Sequence, residues 1–208
     1  MKSSTVQIGL AQINNSFSGQ CYLPYAVGLL QAYVEAYASD PSRFQFLLPI
    51  FRRMAVHEAV DAFRGADIAA FSAYVWNVNA SLEIARRLKT EAPNTLIIFG
   101  GPQVPDNAQK FLREHPFIDV VCHGEGEDTF LQLIEAGMNG TWEEIPGISY
   151  ISEVGQFNFN SRIRKRDIET IPSPYLSGAF DNLINAYPKM TWIGLWETNR
   201  GCPFKCTF

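Results

Sequence analysis

The chain has 208 residues, a formal net charge of −4, 47% hydrophobic residues and 18% charged residues. This composition is typical of a globular protein rather than a disordered one, and the acidic balance argues against a nucleic-acid partner. The sequence shows neither a signal peptide nor a membrane span. Its four irregularly spaced cysteines indicate reduced thiols, so we predict a cytoplasmic protein.

Five short apolar segments alternate with amphipathic segments over the first 136 residues. Short strands that are apolar on both faces and joined by helices are typical of a doubly wound α/β fold with a parallel, five-stranded sheet. The predicted strands cover residues 6–12, 44–48, 67–71, 95–99 and 117–122, and the predicted helices cover 25–38, 54–63, 82–90, 106–114 and 128–136.

The pattern changes after Gly137. Residues 148–151 and 156–159 predict a hairpin, and the segment IPSPYLSG predicts a stiff, extended connection because it holds two prolines. Residues 191–196 predict a new buried strand. We therefore divide the chain into a doubly wound domain (1–140), a hairpin and linker (141–190) and the beginning of another domain (191–208).

Turn-rich segments follow the predicted strands: INNSFSGQ, SAYVWN, GGPQ and HGEGE. In a doubly wound sheet, ligands bind beyond the carboxyl ends of the strands. Glycines there let a ligand approach the backbone, and N–H groups at helix starts suit phosphate and amide oxygens. A simple nucleotide-binding domain is disfavoured, because neither GxGxxG nor a P-loop is present.

Cys202 and Cys206 lie three residues apart after Arg200-Gly201. The gap is wider than the two-residue gap usual in zinc sites and redox dithiols. Taken alone, the pair is equally compatible with two unrelated thiols.

In its context, the segment CPFKCTF resembles the opening of the radical S-adenosylmethionine (SAM) signature CxxxCxΦC, whose three cysteines bind a 4Fe–4S cluster. Cys202 and Cys206 match the first two metal ligands, Phe208 matches the aromatic residue, and the third cysteine is expected at the following position. The resemblance implies that SAM binds the open iron and is cleaved there to a 5′-deoxyadenosyl radical.

The segments GGPQ, IDVVCHGEGE, IPGISY, IPSPYLSG and RGCPFKC jointly resemble cobalamin-dependent radical SAM enzymes over about residues 5–208. The resemblance implies a Rossmann- or flavodoxin-like cobalamin-binding domain and the first strand of a radical SAM (β/α) barrel. The rest of the barrel would be its partner in the same parent chain, and the substrate, a small molecule or peptide, is not specified. The implied cofactor-binding residues are Asn14, Asn15, Ser16, Phe17, Ser72, Tyr74, Trp76, Asn77, Gly100, Gly101, Pro102, Gln103, Gly124, Glu125 and Gly126.

One motif of cobalamin proteins is missing. Those that ligate cobalt through a histidine carry DxHxxG after the first strand, and here that loop has no histidine. We therefore expect base-off cobalamin without a histidine ligand, with Trp76 or Tyr74 beneath the corrin. The alternatives are that Trp76 only fills the core, that Gly100-Gly101 is an ordinary turn, and that Glu125 only complements a helix dipole.

The resemblance implies a methyltransferase in which SAM methylates the cobalamin, a second SAM generates the radical, and the substrate radical takes the methyl group. This fragment alone is expected to be inactive. Two alternatives remain: a cyclase or rearrangement enzyme that uses the same cofactors, and a domain that has lost cobalamin and serves as a structural or partner-binding module.

Overall fold

The computed structural model describes residues 5–137, 141–163, 168–198 and 200. The predicted metal ligands Cys202 and Cys206 lie outside the described residues. The strands within them are β1 Val6–Asn14, β2 Gln20–Tyr22, β3 Phe44–Phe46, β4 Ile50–Arg52, β5 Ile68–Ser72, β6 Leu96–Gly100, β7 Val120–Cys122, β8 Ile148–Ile151, β9 Phe157–Phe159 and β10 Thr191–Ile193. The α-helices are α1 Tyr25–Tyr37, α2 Val56–Ala62, α3 Val78–Glu91, α4 Gln109–Glu114, α5 Glu127–Ala136 and α6 Asp181–Ala186.

The main sheet has the strand order β3-β1-β5-β6-β7-β8-β9, and β3, β1, β5, β6 and β7 run parallel. This order confirms the doubly wound fold, and the direction of the connections reverses between β1 and β5. The predicted strand over residues 44–48 is shorter than expected. β3 ends at Phe46 and the chain resumes as β4, which also pairs with β1; Pro49, which has no backbone N–H to donate, lies between them.

The predicted hairpin is present as β8 and β9, but it is not separate from the sheet. β8 pairs antiparallel with β7, with Val121 opposite Ser149, and β9 pairs with β8. The parallel sheet therefore continues into an antiparallel extension, and the domain boundary at residue 140 stays a prediction.

Alternate residues of each strand point to opposite sides of the sheet, as the two-residue period of a strand requires, and so belong to two separate cores. Ala69 and Phe71 of β5 belong to the core beneath α2, α3 and α4. Ile68 and Ala70 of the same strand belong to the core beneath α1 and α5. The carboxyl ends of β5, β6 and β7 are consequently flanked by helices on both sides.

The strand predicted over residues 191–196 is present, but it is shorter and more exposed than predicted. β10 covers only Thr191–Ile193, none of its residues is fully buried, and Trp196 is 88% exposed. β10 pairs in parallel with β2, a strand that the sequence pattern does not predict, and Trp192 lies opposite Cys21. Residues 191–193 therefore pack directly on the N-terminal part of the chain, in a two-stranded sheet.

Candidate functional site

A cavity of about 510 Å³ lies at the carboxyl ends of β5, β6 and β7, between the sheet, α1 and α5. Its floor comes from residues of the three strands on this side of the sheet: Ala70, Ile98 and Cys122. Its mouth is formed by the loops that follow those strands. This is the position at which a doubly wound fold binds ligands.

Eight of the fifteen predicted cofactor-binding residues line the cavity. They come from three loops that are distant in sequence and adjacent in the sheet: Ser72, Tyr74, Gly100, Gly101, Pro102, Gly124, Glu125 and Gly126. The other seven lie outside its lining: Asn14, Asn15, Ser16, Phe17, Trp76, Asn77 and Gln103.

Asn77 organises the loop after β5. Its side chain is buried, its Oδ1 accepts a hydrogen bond from the Tyr74 N–H at 2.7 Å, and its Nδ2 donates to the carbonyls of Ile13 and Ser72, both at 3.0 Å. Both amide protons are thus engaged inside the protein. The Asn77 side chain therefore stabilises the conformation of the loop after β5.

Trp76 lies beside the cavity rather than in its lining. Its ring stacks on that of Tyr74, with centroids 4.6 Å apart and planes 13° apart, and its Nε1–H donates to the Ile13 carbonyl at 3.2 Å. Trp76 is 41% exposed, so plain core packing does not describe it. The pair forms a flat aromatic surface next to the cavity mouth.

Gly101 is required by a close approach between two loops. Its φ is +100°, and a Cβ at this position would lie 2.7 Å from the Ala73 carbonyl oxygen, a separation that real Cβ atoms do not show. The Ala73 N–H donates to the Gly100 carbonyl at 2.7 Å, and the Gln103 N–H donates to the Ala73 carbonyl at 3.1 Å. Gly101 therefore lets the loops after β5 and β6 lock together at the rim.

The loop after β1, whose residues 14–17 are predicted to bind the cofactor, lies outside the cavity lining. Asn14 ends β1 and is buried, with no hydrogen-bond partner for its Nδ2. Asn15, Ser16 and Phe17 are exposed, and Phe17 forms a tight antiparallel bridge with Gln20. These residues stand at the same edge of the sheet, outside the cavity.

Gln12, a buried residue of β1, holds the start of α1. Its Oε1 accepts hydrogen bonds from the N–H groups of Ala26 at 2.8 Å and Val27 at 3.4 Å. The first turn of a helix has N–H groups without intrahelical partners, and Gln12 satisfies two of them. This fixes the α1 wall of the cavity against the sheet.

The C-terminal segment supplies the remaining wall through Leu195, Trp196, Glu197 and Arg200. Arg200 Nη2 lies 2.6 Å from Glu127 Oε1, and its Nε lies 3.0 Å from Glu197 Oε2. The side chains of Glu127 and Arg200 are only 6% and 14% exposed. Burial alone would lower the pKa of Arg200, but hydrogen bonding to Glu127 outweighs this effect and raises the pKa, so the guanidinium stays charged.

Tyr175, from the linker IPSPYLSG, binds the backbone of the C-terminal segment at Leu195. Its hydroxyl donates to the Leu195 carbonyl at 2.6 Å and accepts from the Leu195 N–H at 2.8 Å. Its ring stacks on Tyr25 at the start of α1, with centroids 6.0 Å apart. Burial raises the pKa of both tyrosines, so these hydroxyls are protonated at neutral pH.

Two further titratable groups near the site, Cys122 and His123, are neutral at neutral pH. Burial raises the pKa of Cys122 to about 12. Burial also lowers the pKa of His123, a shift that Asp106 opposes and Arg162 reinforces. The His123 ring faces away from the cavity lining: its Nε2 lies 2.8 Å from Ser149 Oγ on the hairpin.

The sequence pattern does not predict the cavity walls that α1, α5 and the C-terminal segment provide: Tyr25, Leu29, Leu30, Phe130, Leu195, Trp196, Glu197 and Arg200. Apolar residues at helical spacing predict that one face of a helix is buried. They do not show which part of that face packs against the sheet and which part lines a cavity. Arg200 carried a usable signal, because a lone arginine follows an apolar run just before the cysteine pair.

Among the described residues, no group of three or more His, Cys, Asp or Glu side chains is arranged to hold a metal ion. None of the helices in the described part of the chain is long and apolar enough to cross a membrane.

A doubly wound sheet with a glycine-rimmed cavity at its carboxyl edge defines a Rossmann-like ligand-binding domain. A family model, the B12 binding domain, matches residues 18–134, more than half of the chain. The chain therefore belongs to the B12-binding domain family.

Several relatives are at least 30% identical to this chain, and two of them align over 90% of it. The cobalamin-dependent radical SAM methyltransferase TokK of Streptomyces tokunonensis is 34% identical over 191 residues, which is 90% of this chain and 28% of the relative. The 2-(S-pantetheinyl)-carbapenam-3-carboxylate methyltransferase of Streptantibioticus cattleyicolor is 36% identical over 193 residues, with the same coverage. The chain thus spans little more than a quarter of the length of these curated relatives.

The fold also matches a solved structure. The cobalamin-dependent SAM radical enzyme OxsB, with aqua-cobalamin and SAM bound, aligns with a TM-score of 0.64 and 17% identity over 86% of this chain and 25% of OxsB. At this level of identity the likeness concerns the fold alone.

Proposed function

We propose that this chain is the cobalamin-binding portion of a cobalamin-dependent radical SAM enzyme, and that the parent transfers a methyl group to an unactivated substrate centre. The observation that supports this proposal most directly is the glycine-rimmed cavity between α1, α5 and the carboxyl ends of β5, β6 and β7. Membership of the B12-binding family and the naming of two relatives as methyltransferases support the proposal.

The cavity fits the nucleotide tail of cobalamin better than the whole cofactor. Its volume of about 510 Å³ is too small for a corrin with its tail, and its floor is apolar, as a benzimidazole base requires. Glycine keeps the space open at the rim: a Cβ at Gly126 would lie 3.6 Å from Leu30 Cδ2, between the two helices. The corrin would then lie outside, over the carboxyl edge of the sheet.

The aromatic pair Tyr74 and Trp76 stands where the lower face of that corrin would rest. Rings stacked 4.6 Å apart offer an apolar surface and no strong ligand for cobalt. We propose that the cobalamin is bound base-off and without a histidine ligand to cobalt.

When bound, cobalamin would supply a cobalt centre able to carry a methyl group. The residues of this chain would hold the tail, fix the plane of the corrin and keep water from its lower face. Cys202 and Cys206 would be two of the three ligands of a 4Fe–4S cluster to which SAM binds in the parent enzyme.

The first test is whether the 208-residue chain binds cobalamin. Purified protein is incubated with hydroxocobalamin and separated by gel filtration, and the visible absorbance of the protein peak is measured. We expect about one equivalent of bound cobalamin with a base-off spectrum. A colourless protein would refute the proposal and favour a structural or partner-binding module.

Trp76→His tests the position of the corrin. A histidine beneath the corrin would ligate cobalt, so we expect the visible spectrum of the bound cobalamin to shift. Trp76→Phe is the matched control, because it keeps an aromatic ring without a cobalt ligand and should leave the spectrum unchanged. Identical spectra for the two variants would show that Trp76 does not lie beneath the corrin.

The reaction type is tested in the parent enzyme with SAM labelled in its methyl group. A labelled product supports methyl transfer. A product without label would refute methyl transfer and leave the cyclase or rearrangement alternative.

A further inference from the structure

Arg200 joins two parts of the chain that lie 73 residues apart in sequence. Glu127, its partner, is the first residue of α5, and α5 packs against α1 to form two walls of the cavity. A carboxylate is stabilised at the first turn of a helix, so the folded domain holds the Glu127 side chain in a defined position at the start of α5. Arg200 belongs to the segment that leads into the cysteine pair.

The two charges are almost fully removed from water. The side chains of Glu127 and Arg200 are 6% and 14% exposed, and a buried charge without a partner is strongly unfavourable. Arg200 uses two different nitrogens of its fork, one for Glu127 and one for Glu197. This arrangement fixes the orientation of the guanidinium as well as its position.

The segment between β10 and Arg200 is held at three points. β10 pairs with β2 at one end, Tyr175 bonds both backbone groups of Leu195 in the middle, and Arg200 bonds Glu127 at the other end. Leu195, Trp196 and Glu197 line the cavity between these points. A ligand that fills the cavity would therefore contact the segment that leads, in sequence, into the cysteine pair.

We infer that Glu127 and Arg200 are a positioning pair that couples occupation of the cavity to the placement of the segment leading into Cys202. The inference rests on the proposed cobalamin-binding function. Cobalamin would order residues 194–198, and the ordered segment would in turn retain cobalamin, because coupling between two sites is reciprocal.

Hydrogen exchange on the 208-residue chain, with and without hydroxocobalamin, measures this coupling. In the wild-type chain we expect cobalamin to slow amide exchange in residues 194–198. In Glu127→Gln, which keeps the shape of the side chain and removes its charge, we expect this slowing to disappear and cobalamin to bind on the order of tenfold more weakly.

Asp128→Asn is the matched control. Asp128 is the next residue of α5, carries the same charge, is exposed, and bonds Gln132 rather than Arg200. It should retain both the slowing and the affinity. Arg200→Lys, which keeps the charge without the fork, should give an intermediate loss and serves as the second variant if Glu127→Gln does not fold.

The outcomes separate the two proposals. A wild-type chain that binds no cobalamin overturns both of them. A wild-type chain that binds cobalamin without a change of exchange in residues 194–198 overturns the coupling alone. Equal losses of slowed exchange and of affinity in Glu127→Gln and Asp128→Asn would also overturn the coupling, because a general effect of charge at the start of α5 would then explain both variants.

Discussion

The two faces of the sheet are built from the same strands and each carries a core, but they differ in packing near the carboxyl ends of the strands. On the side of α2 and α3, Phe63, Phe71 and Phe99 fill the space, with the Phe71 and Phe99 rings 4.9 Å apart. On the side of α1 and α5, the neighbouring positions carry Ala70 and Gly100, and a cavity of about 510 Å³ remains. The cavity remains because the residues at this end of one face are small, whereas large aromatic residues fill the corresponding space on the other face.

Phe71→Ala should give the largest loss of stability, because it removes a fully buried ring from the packed face. We expect the free energy of unfolding to fall by about 3–5 kcal/mol, measured by urea denaturation. A loss as small as that of an exposed substitution would show that the two faces do not differ in packing.

Ala69→Leu and Ala70→Leu compare the faces at neighbouring residues. Ala69 lies in the packed core, so the added volume should lower the free energy of unfolding by about 1–3 kcal/mol. Ala70 lines the cavity, so its variant should lose less stability and bind hydroxocobalamin roughly tenfold more weakly, a factor that corresponds to ~1.4 kcal/mol. Equal losses of stability in the two variants would contradict the comparison.

Cys122 sharpens the comparison through pH. Its pKa is about 12 in the folded chain and 9.0 for an ordinary thiol, so between these values the unfolded chain has lost a proton that the folded chain keeps. Its contribution to stability is complete below pH 9 and declines above it by about 1.4 kcal/mol per pH unit.

Urea denaturation at pH 8.5 and pH 10 measures this contribution. Between these two pH values, the free energy of unfolding should fall less in Cys122→Ala than in the wild type, because the variant has no thiol to ionise. The tyrosines with raised pKa contribute a slope of the same sign to both proteins. Identical slopes would show that water reaches the thiol at the cavity floor.

The alternation of apolar and polar residues along the chain determined most of the elements, because the periods of strands and helices are local properties. The same pattern, with Gly100, Gly101, Gly124 and Gly126, located the three loops that rim the cavity. The pairing of β10 with β2 could not be predicted, because each strand has only three residues and a local pattern of that length names no partner.

The tertiary structure alone decided which distant segments meet at the site. The family resemblance implies that Asn77 binds the cofactor, but only the fold shows its amide bonded to the carbonyls of Ile13 and Ser72. Likewise, nothing local pairs Arg200 with Glu127 across 73 residues. Such contacts depend on strand order and helix packing, which bring together residues whose spacing along the chain carries no periodic signal.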